Sequence, residues 1–166
     1  MTSLTKTLLA ASLAASFGFA AQAAPAIHTG PAASPIAQSV EVPAGADIIY
    51  LSGILPPVID KTAPAGTPAA YGDTTTQAVN IFKIMKERLA EKGLGMGDVV
   101  VMHVYMAPDP TKGGRMDFAG MMAGYTQFFG TADQPNKPAR SAFEVAGLAA
   151  PGPAMEIDVE AVRTKK

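Results

Sequence analysis

The sequence predicts an α+β domain in which two helices cover one face of a single mixed sheet. Residues 74–92 and 117–129 carry apolar side chains at the spacing typical of amphipathic helices. Short β-branched and aromatic runs precede, separate and follow these helices. The predicted order is therefore β-β-α-β-α-β-β, an arrangement that packs a layer of helices on one sheet.

Composition excludes several classes of function. The chain has 166 residues, enough for one domain with a substantial core, and only 16% of them are charged. A net charge of -1 gives no electrostatic footprint for nucleic acid or an anionic membrane. Cysteine is absent, which removes disulfides and thiolate catalysis. Because the two histidines, His28 and His103, lack any metal-binding spacing, we expect no metal site.

Residues 1–23 have the pattern of a secretory signal peptide. Lys6 supplies a positive start, residues 8–20 form an uncharged apolar run, and residues 21–23 are a small-x-small cleavage site. The alternative is a transmembrane anchor, but the run is shorter than the roughly 20 apolar residues that a spanning helix needs. We therefore expect a periplasmic or secreted protein that begins at Ala24.

The remaining chain is expected to form a single domain. Residues 24–34 are rich in Ala, Pro and Gly and predict a flexible lead-in. The domain itself is expected at 35–163, and residues 164–166 are expected to be a frayed tail. Within the domain the sequence shows no repeat and no second unit.

Two strands are predicted before the first helix. Residues 36–42 alternate weakly and suit an edge strand, whereas residues 48–52 form a clear β-branched and aromatic run. Gly53 follows, and a residue without a side chain lets a ligand or a neighbouring backbone approach closely. The Pro- and Ala-rich residues 56–72 are expected to form a surface loop.

Both helices have sequence features of helix ends and packing. Thr74 and Gln77 have the spacing of a capping box, and Gly93 fits a helix C-terminus. In the second helix, Gly120 and Gly124 lie four residues apart. We expect these glycines to allow close packing against the sheet, at some cost in helix propensity.

The strand predicted at 98–106 is mostly apolar on both faces. Met102 and Val104 lie on one face, and His103 and Tyr105 lie on the other. Strands of this kind are covered on both sides. The helices can cover only one side, so the other is expected to be a subunit interface. We expect His103 to be a hydrogen-bonded sheet or interface residue rather than a catalyst.

The stretch 138–145 places one arginine at the start of a strand, and a last strand is predicted at 154–162. Pro138 suits the entrance of a strand because it cannot donate a ladder hydrogen bond. The rigid guanidinium of Arg140 can bind a carboxylate through two parallel hydrogen bonds. Taken alone, a single arginine such as Arg140 is more often a solvated surface residue.

Four short motifs occur at matching places in these elements. They are Tyr50-Leu51-Ser52-Gly53, Gly124-Tyr125 with Phe128-Phe129, Pro138-Ala139-Arg140-Ser141 with Glu144-Val145, and Met155-Glu156-Ile157-Asp158. With these motifs, the chain from about Ser34 to Arg163 resembles the RidA family of enamine/imine deaminases, also called YjgF or endoribonuclease L-PSP-like.

The resemblance implies a chorismate-mutase-like fold and a homotrimer with sites at the subunit interfaces. It implies hydrolysis of 2-imino acids to 2-oxo acids and ammonia without a cofactor. Arg140 would bind the substrate carboxylate, and Glu156 would hold or activate the attacking water. A different gap in the turn at 151–153 would put Asp158 in the place of Glu156. The pocket would also be lined by Ser52, Gly53 and the backbone near Ala142.

Three pocket positions depart from the family pattern. Ile36 stands where the family has a tyrosine, Ala142 where it has a cysteine, and Met116 where it has an asparagine. These changes motivate an alternative function, a non-catalytic trimer that binds small carboxylates or shields unfolded clients. Ribonuclease activity follows only from a family label, and the near-zero net charge argues against it.

Overall fold

The computed structural model describes residues 24–164, so the predicted signal peptide lies outside the described residues. Within this range the chain forms six strands and two helices, together with three short 3₁₀ turns. The strands are β1 (Ile27–Thr29), β2 (Ser39–Glu41), β3 (Asp47–Ile54), β4 (Val99–Met106), β5 (Ala139–Glu144) and β6 (Met155–Arg163). The helices are α1 (Thr74–Glu91) and α2 (Phe118–Tyr125).

The main sheet is mixed and has the strand order β3-β6-β4-β5. β6 pairs antiparallel with both β3 and β4, whereas β4 and β5 are parallel. The apolar stripes of α1 and α2 pack with one face of the sheet into a single core, which confirms the predicted α+β class. The core residues with no exposed surface include Phe82, Met85, Met102, Val104, Tyr125 and Ile157. In the described part of the chain, no helix has the length and apolarity needed to cross a membrane.

The N-terminal part differs from the prediction. The strand expected at 36–42 shortens to β2, and it pairs with β1 in a separate two-stranded ribbon rather than joining the main sheet. β1 lies inside the lead-in, where the surrounding Ala, Pro and Gly residues concealed a short β-branched run. His28 Nδ1 donates to the carbonyl of Lys137 at 2.7 Å, so the ribbon is attached just before β5.

The start of α1 also differs from the prediction. Asp73 is the N-cap residue, and its carboxylate accepts a hydrogen bond from the amide of Thr76 at 2.7 Å. The expected capping box of Thr74 and Gln77 is therefore wrong, because the cap lies one residue earlier. The buried Gln77 side chain instead accepts from the amide of Ala154 at 2.7 Å, which ties α1 to the start of β6.

The helix α2 is shorter than the predicted span of 117–129. Asp117 caps its start by accepting from the amide of Gly120 at 3.1 Å. The chain leaves regular helix after Tyr125, where the amide of Phe128 donates to the Tyr125 carbonyl in a tighter turn. Residues 126–129 still pack against the core through Phe128 and Phe129.

The glycines of α2 pack against α1, not against the sheet as the sequence suggested. A Cβ atom at Gly124 would lie 2.6 Å from the Cβ atom of Ala78, and one at Gly120 would lie 2.8 Å from that of Thr74. Both distances are shorter than van der Waals contact. The missing side chains therefore let the two helices approach closely on top of the sheet.

The other face of the sheet is not covered by any described part of the chain, and we call it the open face. Tyr50 is 69% exposed there and Phe143 is 47% exposed. These two side chains lie on the opposite edge strands β3 and β5, and large aromatic side chains exposed on one face indicate an interaction surface. The open face carries Tyr50 and Ser52 of β3, His103 and Tyr105 of β4, Ser141 and Phe143 of β5, and Glu156, Asp158 and Glu160 of β6.

The helix contact gives a first prediction. Replacing Gly124 by alanine should lower the free energy of unfolding by about 1–3 kcal/mol, because the overlap with Ala78 outweighs the gain in helix propensity. Urea denaturation of both proteins measures the change. Gly147→Ala is the control, since a Cβ there meets no atom within 4 Å. Equal loss of stability in the two variants would contradict the packing.

Candidate functional site

Arg140 lies on β5 and points toward the helices. It pairs in register with the buried Met102 of β4, and paired residues in a sheet project from the same face. Its guanidinium carbon lies 4.3 Å from the ring centroid of Tyr125 and 5.8 Å from that of Phe118. Two aromatic rings of α2 therefore hold the guanidinium by cation–π contact.

The guanidinium has unused hydrogen-bonding capacity. Arg140 Nη1 and the hydroxyl of Tyr125 are buried and have no hydrogen-bond partner among the described residues. Burial lowers the pKa of Arg140 and raises the pKa of Tyr125 to about 12, although the positive charge of Arg140 opposes the second shift. An unpaired buried donor typically costs about 1–3 kcal/mol. An anion bound at Arg140 would remove this cost, so the position suits a ligand carboxylate.

The predicted pocket residues on this side of the sheet are apolar. Ala142 follows Arg140 on the same face of β5 and packs against the core. Ile36 and Met116 are half-buried and pack against the same core. The amide of Ala37 donates to the carbonyl of Pro138 at 3.0 Å, which places Ile36 close to the start of β5.

Glu144 fixes the segment that leads into α2. Its carboxylate accepts from the amide of Met116 at 2.6 Å and from Nε of Arg115 at 3.1 Å. The backbone hydrogen bond from Met116 is the largest cause that lowers the pKa of Glu144, and the contacts with Arg115 act in the same direction. Glu144 thus connects the end of β5 to the residues just before Phe118.

Glu156 lies on the open face of the sheet. It pairs in register with Tyr105, while its neighbours Met155 and Ile157 are buried on the helix face. The register of β3 and β6 shifts between Leu51 and Ile54, so Ser52 and Gly53 form an irregular segment beside Glu156. A methyl group at Gly53 would overlap the Glu156 carboxylate, and only glycine leaves room for this side chain.

Asp158 already has a partner on the same face. Its carboxylate accepts a hydrogen bond from Nδ1 of His103 at 2.9 Å. This contact confirms that His103 is a hydrogen-bonded sheet histidine. Of the two candidate carboxylates, Glu156 is the one that adjoins Gly53, and Asp158 is the one that is already hydrogen-bonded to His103.

The predicted residues therefore fall into two groups that the sheet separates. Arg140 and Ala142 face the helices, and Ile36 and Met116 pack on that side. Ser52, Gly53 and Glu156 belong to the open face. Because Arg140 and Glu156 leave opposite faces, one chain cannot close both around a small molecule.

Two cavities of the described residues do not enclose Arg140 and Glu156. A cleft of about 820 Å³ lies between the N-termini of the two helices and the loops at 107–112 and 152–154, and none of the predicted site residues lines it. A smaller cavity of about 90 Å³ is lined by Ile36 and the N-terminal ribbon. The larger cleft has charged residues of its own, but its Lys112 is exposed and its Nζ already lies 3.8 Å from Oδ2 of Asp117. Arg140 differs because its buried Nη1 has no partner among the described residues, so Arg140 and Glu156 are kept as the candidate pair. Residues 24–164 contain no group of three or more His, Asp or Glu side chains that could hold a metal ion.

A family model described as endoribonuclease L-PSP matches residues 29–163 of this chain. The chain belongs to this family. A RutC family protein from Haemophilus influenzae is 29% identical over 140 residues, which cover 84% of this chain and 96% of that protein. These matches confirm the resemblance to RidA and YjgF proteins.

Solved structures of the endoribonuclease L-PSP family share the fold. YyfB from Yersinia pestis, a protein of the conserved Rid family, has a TM-score of 0.62 at 18% identity, covering 84% of this chain and 100% of that one. TdcF from E. coli, solved with bound serine, has a TM-score of 0.54 at 28% identity, covering 86% and 94%. The first likeness supports the fold alone because its identity is low.

Sequence reasoning missed the aromatic contacts of Arg140. Phe118 and Tyr125 were interpreted only as members of the apolar stripe of α2. They lie seven residues apart, which puts both on one side of the helix, and this spacing was the available signal. The partner of His103 was also missed, although Glu156, Asp158 and Glu160 alternate along the last strand.

The contacts of Glu144 give a second prediction. Glu144→Gln should make the Met116 amide exchange with solvent roughly three- to tenfold faster near neutral pH, because an ionised acceptor is lost. In the wild type, the pKa of Glu144 in the folded protein lies below the pKa of an ordinary glutamate. The hydrogen bonds of Glu144 therefore contribute their full stabilisation when the pH is above the ordinary pKa. This stabilisation is lost as the pH falls through the pKa of the folded protein. Hydrogen exchange by NMR measures both effects. Glu87→Gln on the exposed side of α1 is the control. An unchanged exchange rate of the Met116 amide in Glu144→Gln would contradict the role of Glu144 in fixing this segment.

Proposed function

We propose that the chain hydrolyses reactive 2-imino acids to 2-oxo acids and ammonia, at a site shared by two subunits. The observation that carries this proposal is the placement of Arg140 and Glu156 on opposite faces of one sheet. Arg140 provides a half-buried cation with a free donor, and Glu156 provides a carboxylate beside a glycine. Membership of the Rid/YjgF group supports this class of reaction.

In the proposed reaction Arg140 binds and orients the substrate carboxylate, which is a positioning effect. A water oxygen forms a bond to the carbon of the protonated imine (C=NH2⁺) while Glu156 accepts a water proton, and the π electrons of the C=N bond move to nitrogen to leave an amino group (NH2). The protonated Glu156 then gives this proton to the nitrogen. The hydroxyl proton returns to Glu156 as the C–N bond breaks, so that a C=O group and ammonia result. General base catalysis of this kind typically contributes about 10²–10⁴-fold.

The shared site requires that the edge strand of one subunit reach the open face of the next. β5 is the edge strand that carries Arg140, and the open face carries the exposed aromatic side chains Tyr50 and Phe143. Identical contacts repeated around an axis form a closed ring. We propose a trimer, which would cover the open face and create three equivalent sites.

A second candidate function is carboxylate binding without catalysis. It is favoured by the apolar residues Ile36, Met116 and Ala142, which leave few polar groups near Arg140 to guide a water molecule. Calorimetry with 2-oxo acids separates the two functions, because the second predicts saturable binding at Arg140 without turnover. Ribonuclease activity is disfavoured by the three carboxylates of β6 on the open face, which would repel phosphate groups.

We also propose that the protein acts after export, on the products of amino-acid oxidation outside the cytoplasm. The signal-like residues 1–23 support this location. Mass spectrometry of the protein isolated from its native compartment should give a chain that begins at Ala24. An intact N-terminus would contradict export.

The activity itself is tested with 2-iminopropanoate generated by an amino-acid oxidase, with semicarbazide competing for the imine. The wild type should reduce the amount of trapped product, and Arg140→Ala should lower kcat/KM by about 10- to 100-fold, the value of a charged hydrogen-bond pair. Arg88→Ala, an exposed arginine of α1, is the control. A wild type equal to buffer would refute the deaminase proposal.

The shared site is tested by mixing two impaired variants, Arg140→Ala and Glu156→Gln, and by measuring the activity above the residual rate of each variant alone. In a ring of three, random assembly gives about three mixed trimers in four, and each mixed trimer has one site in three with both groups intact. Co-expression in equal amounts should therefore restore about a quarter of the wild-type rate. Co-expression of Arg140→Ala with the double variant is the control and should restore nothing. No recovery in the first mixture would mean that both groups act within one chain.

A further inference from the structure

A second group of titratable side chains lies next to Glu156 on the open face. His103 and Asp158 are register partners on β4 and β6, and their side chains form a hydrogen bond of 2.9 Å. Tyr105 and Glu156 are the next register pair along the same two strands on this face. The four side chains thus form two adjacent rows, with Asp158 diagonal to Tyr105 and His103 diagonal to Glu156.

Tyr105 connects the two rows. Desolvation raises the pKa of Tyr105, and the nearby carboxylates of Asp158 and Glu156 raise it further. Its ring stacks on Phe143 with centroids 6.1 Å apart and lies 6.3 Å from the ring of His103. The ring of Tyr105 therefore contacts the rings of His103 and Phe143 and lies close to both carboxylates.

We propose that His103 and Asp158 are positioning residues that set the pH range in which Glu156 can act as a base. This inference rests on the proposed function of Glu156. The pair does not touch the substrate. It acts through its charge and through Tyr105, one register step from the reacting group.

The sign of each contribution follows from electrostatics. The negative charge of Asp158 opposes ionisation of Glu156, and a protonated His103 favours it. Imidazole side chains carry their charge when the pH falls below about 6.5, which includes the range in which carboxylates titrate. In this proposal the two side chains therefore act on Glu156 with opposite signs.

Few other charges face this group. β6 contributes Glu160, β3 contributes the phenol of Tyr50, and β5 contributes the uncharged Ser141 and Phe143 to the open face. In the proposed trimer, Arg140 of a neighbouring subunit approaches Glu156 as well. His103 is the cation that each chain itself supplies to this face, so its removal should be felt at Glu156.

The experiment compares the pH dependence of kcat/KM for Asp158→Asn and His103→Gln with that of the wild type. Asp158→Asn should move the midpoint of the acidic limb to lower pH by about 0.5–1 unit, and His103→Gln should move it to higher pH by a similar amount. Opposite displacements support the proposal. A merely structural role would lower kcat without moving the limb.

Glu160→Gln is the matched control, because it removes the same charge from the same face of β6 two residues farther from Glu156. It should move the limb less than Asp158→Asn does. Three results would overturn the proposal. The midpoint of the acidic limb could move equally in Glu160→Gln and Asp158→Asn, or it could move in the same direction in His103→Gln and Asp158→Asn. It could also stay unchanged in both Asp158→Asn and His103→Gln. If Asp158→Asn fails to fold, His103→Gln decides alone by the presence or absence of its displacement.

A second readout separates this inference from the proposed function. The carboxyl carbon of Glu156 can be followed by NMR through its own titration in the wild type and in the two variants. If the wild type has no deaminase activity, the proposed function fails, while opposite displacements of this titration still establish the coupling. An unchanged titration in both variants would overturn the coupling even in an active enzyme.

Discussion

The alternation of side chains across the central sheet determines where chemistry can take place in this protein. Arg140 belongs to the same face as the buried Met102, whereas Glu156 belongs to the same face as the half-exposed Tyr105. A strand cannot turn one side chain to the other face without shifting its entire register. The two groups are thus held apart within a chain, and under the proposed function they act together only between chains.

Each group is held in place on its own side of the sheet by contacts within the chain. On the helix side, close packing of the two helices at Gly124 places Tyr125 under the guanidinium of Arg140, and Glu144 fixes the segment before Phe118. On the open side, the irregular segment at Gly53 leaves space for the Glu156 carboxylate. An unpaired buried donor at Arg140 costs stability in the chain, and in the proposed reaction the substrate carboxylate would offset this cost.

The sequence was sufficient to predict the elements that have strong periodicity. The long stripe of α1 and the doubly apolar β4 follow from side-chain spacing alone, whereas the motif around Arg140 was identified by its resemblance to a known family; the structure confirms the α+β class. The sequence was not sufficient where several neighbouring residues could fill the same structural role. Asp73 rather than Thr74 caps α1, and the glycines of α2 face α1 because the sheet is covered by larger side chains. The three-residue β1 is too short to have a period.

The division of the site could not be predicted from motifs. Arg140 and Glu156 each occur in a recognisable sequence motif. The face of the sheet from which each side chain projects depends on the pairing register of three strands. Phe118 and Tyr125 gave no sign of their contact with Arg140, because aromatic residues in a helix usually belong to the core. The seven-residue spacing gains its meaning only when the position of β5 under α2 is known.

The most direct test of a site shared between subunits is a crystal structure of the protein with a bound 2-oxo acid. The account predicts that the ligand carboxylate forms two hydrogen bonds with Arg140 of one chain, and that its carbonyl carbon faces a water held by Glu156 of another chain. A ligand that contacts both groups of a single chain, or that binds away from Arg140, would contradict it.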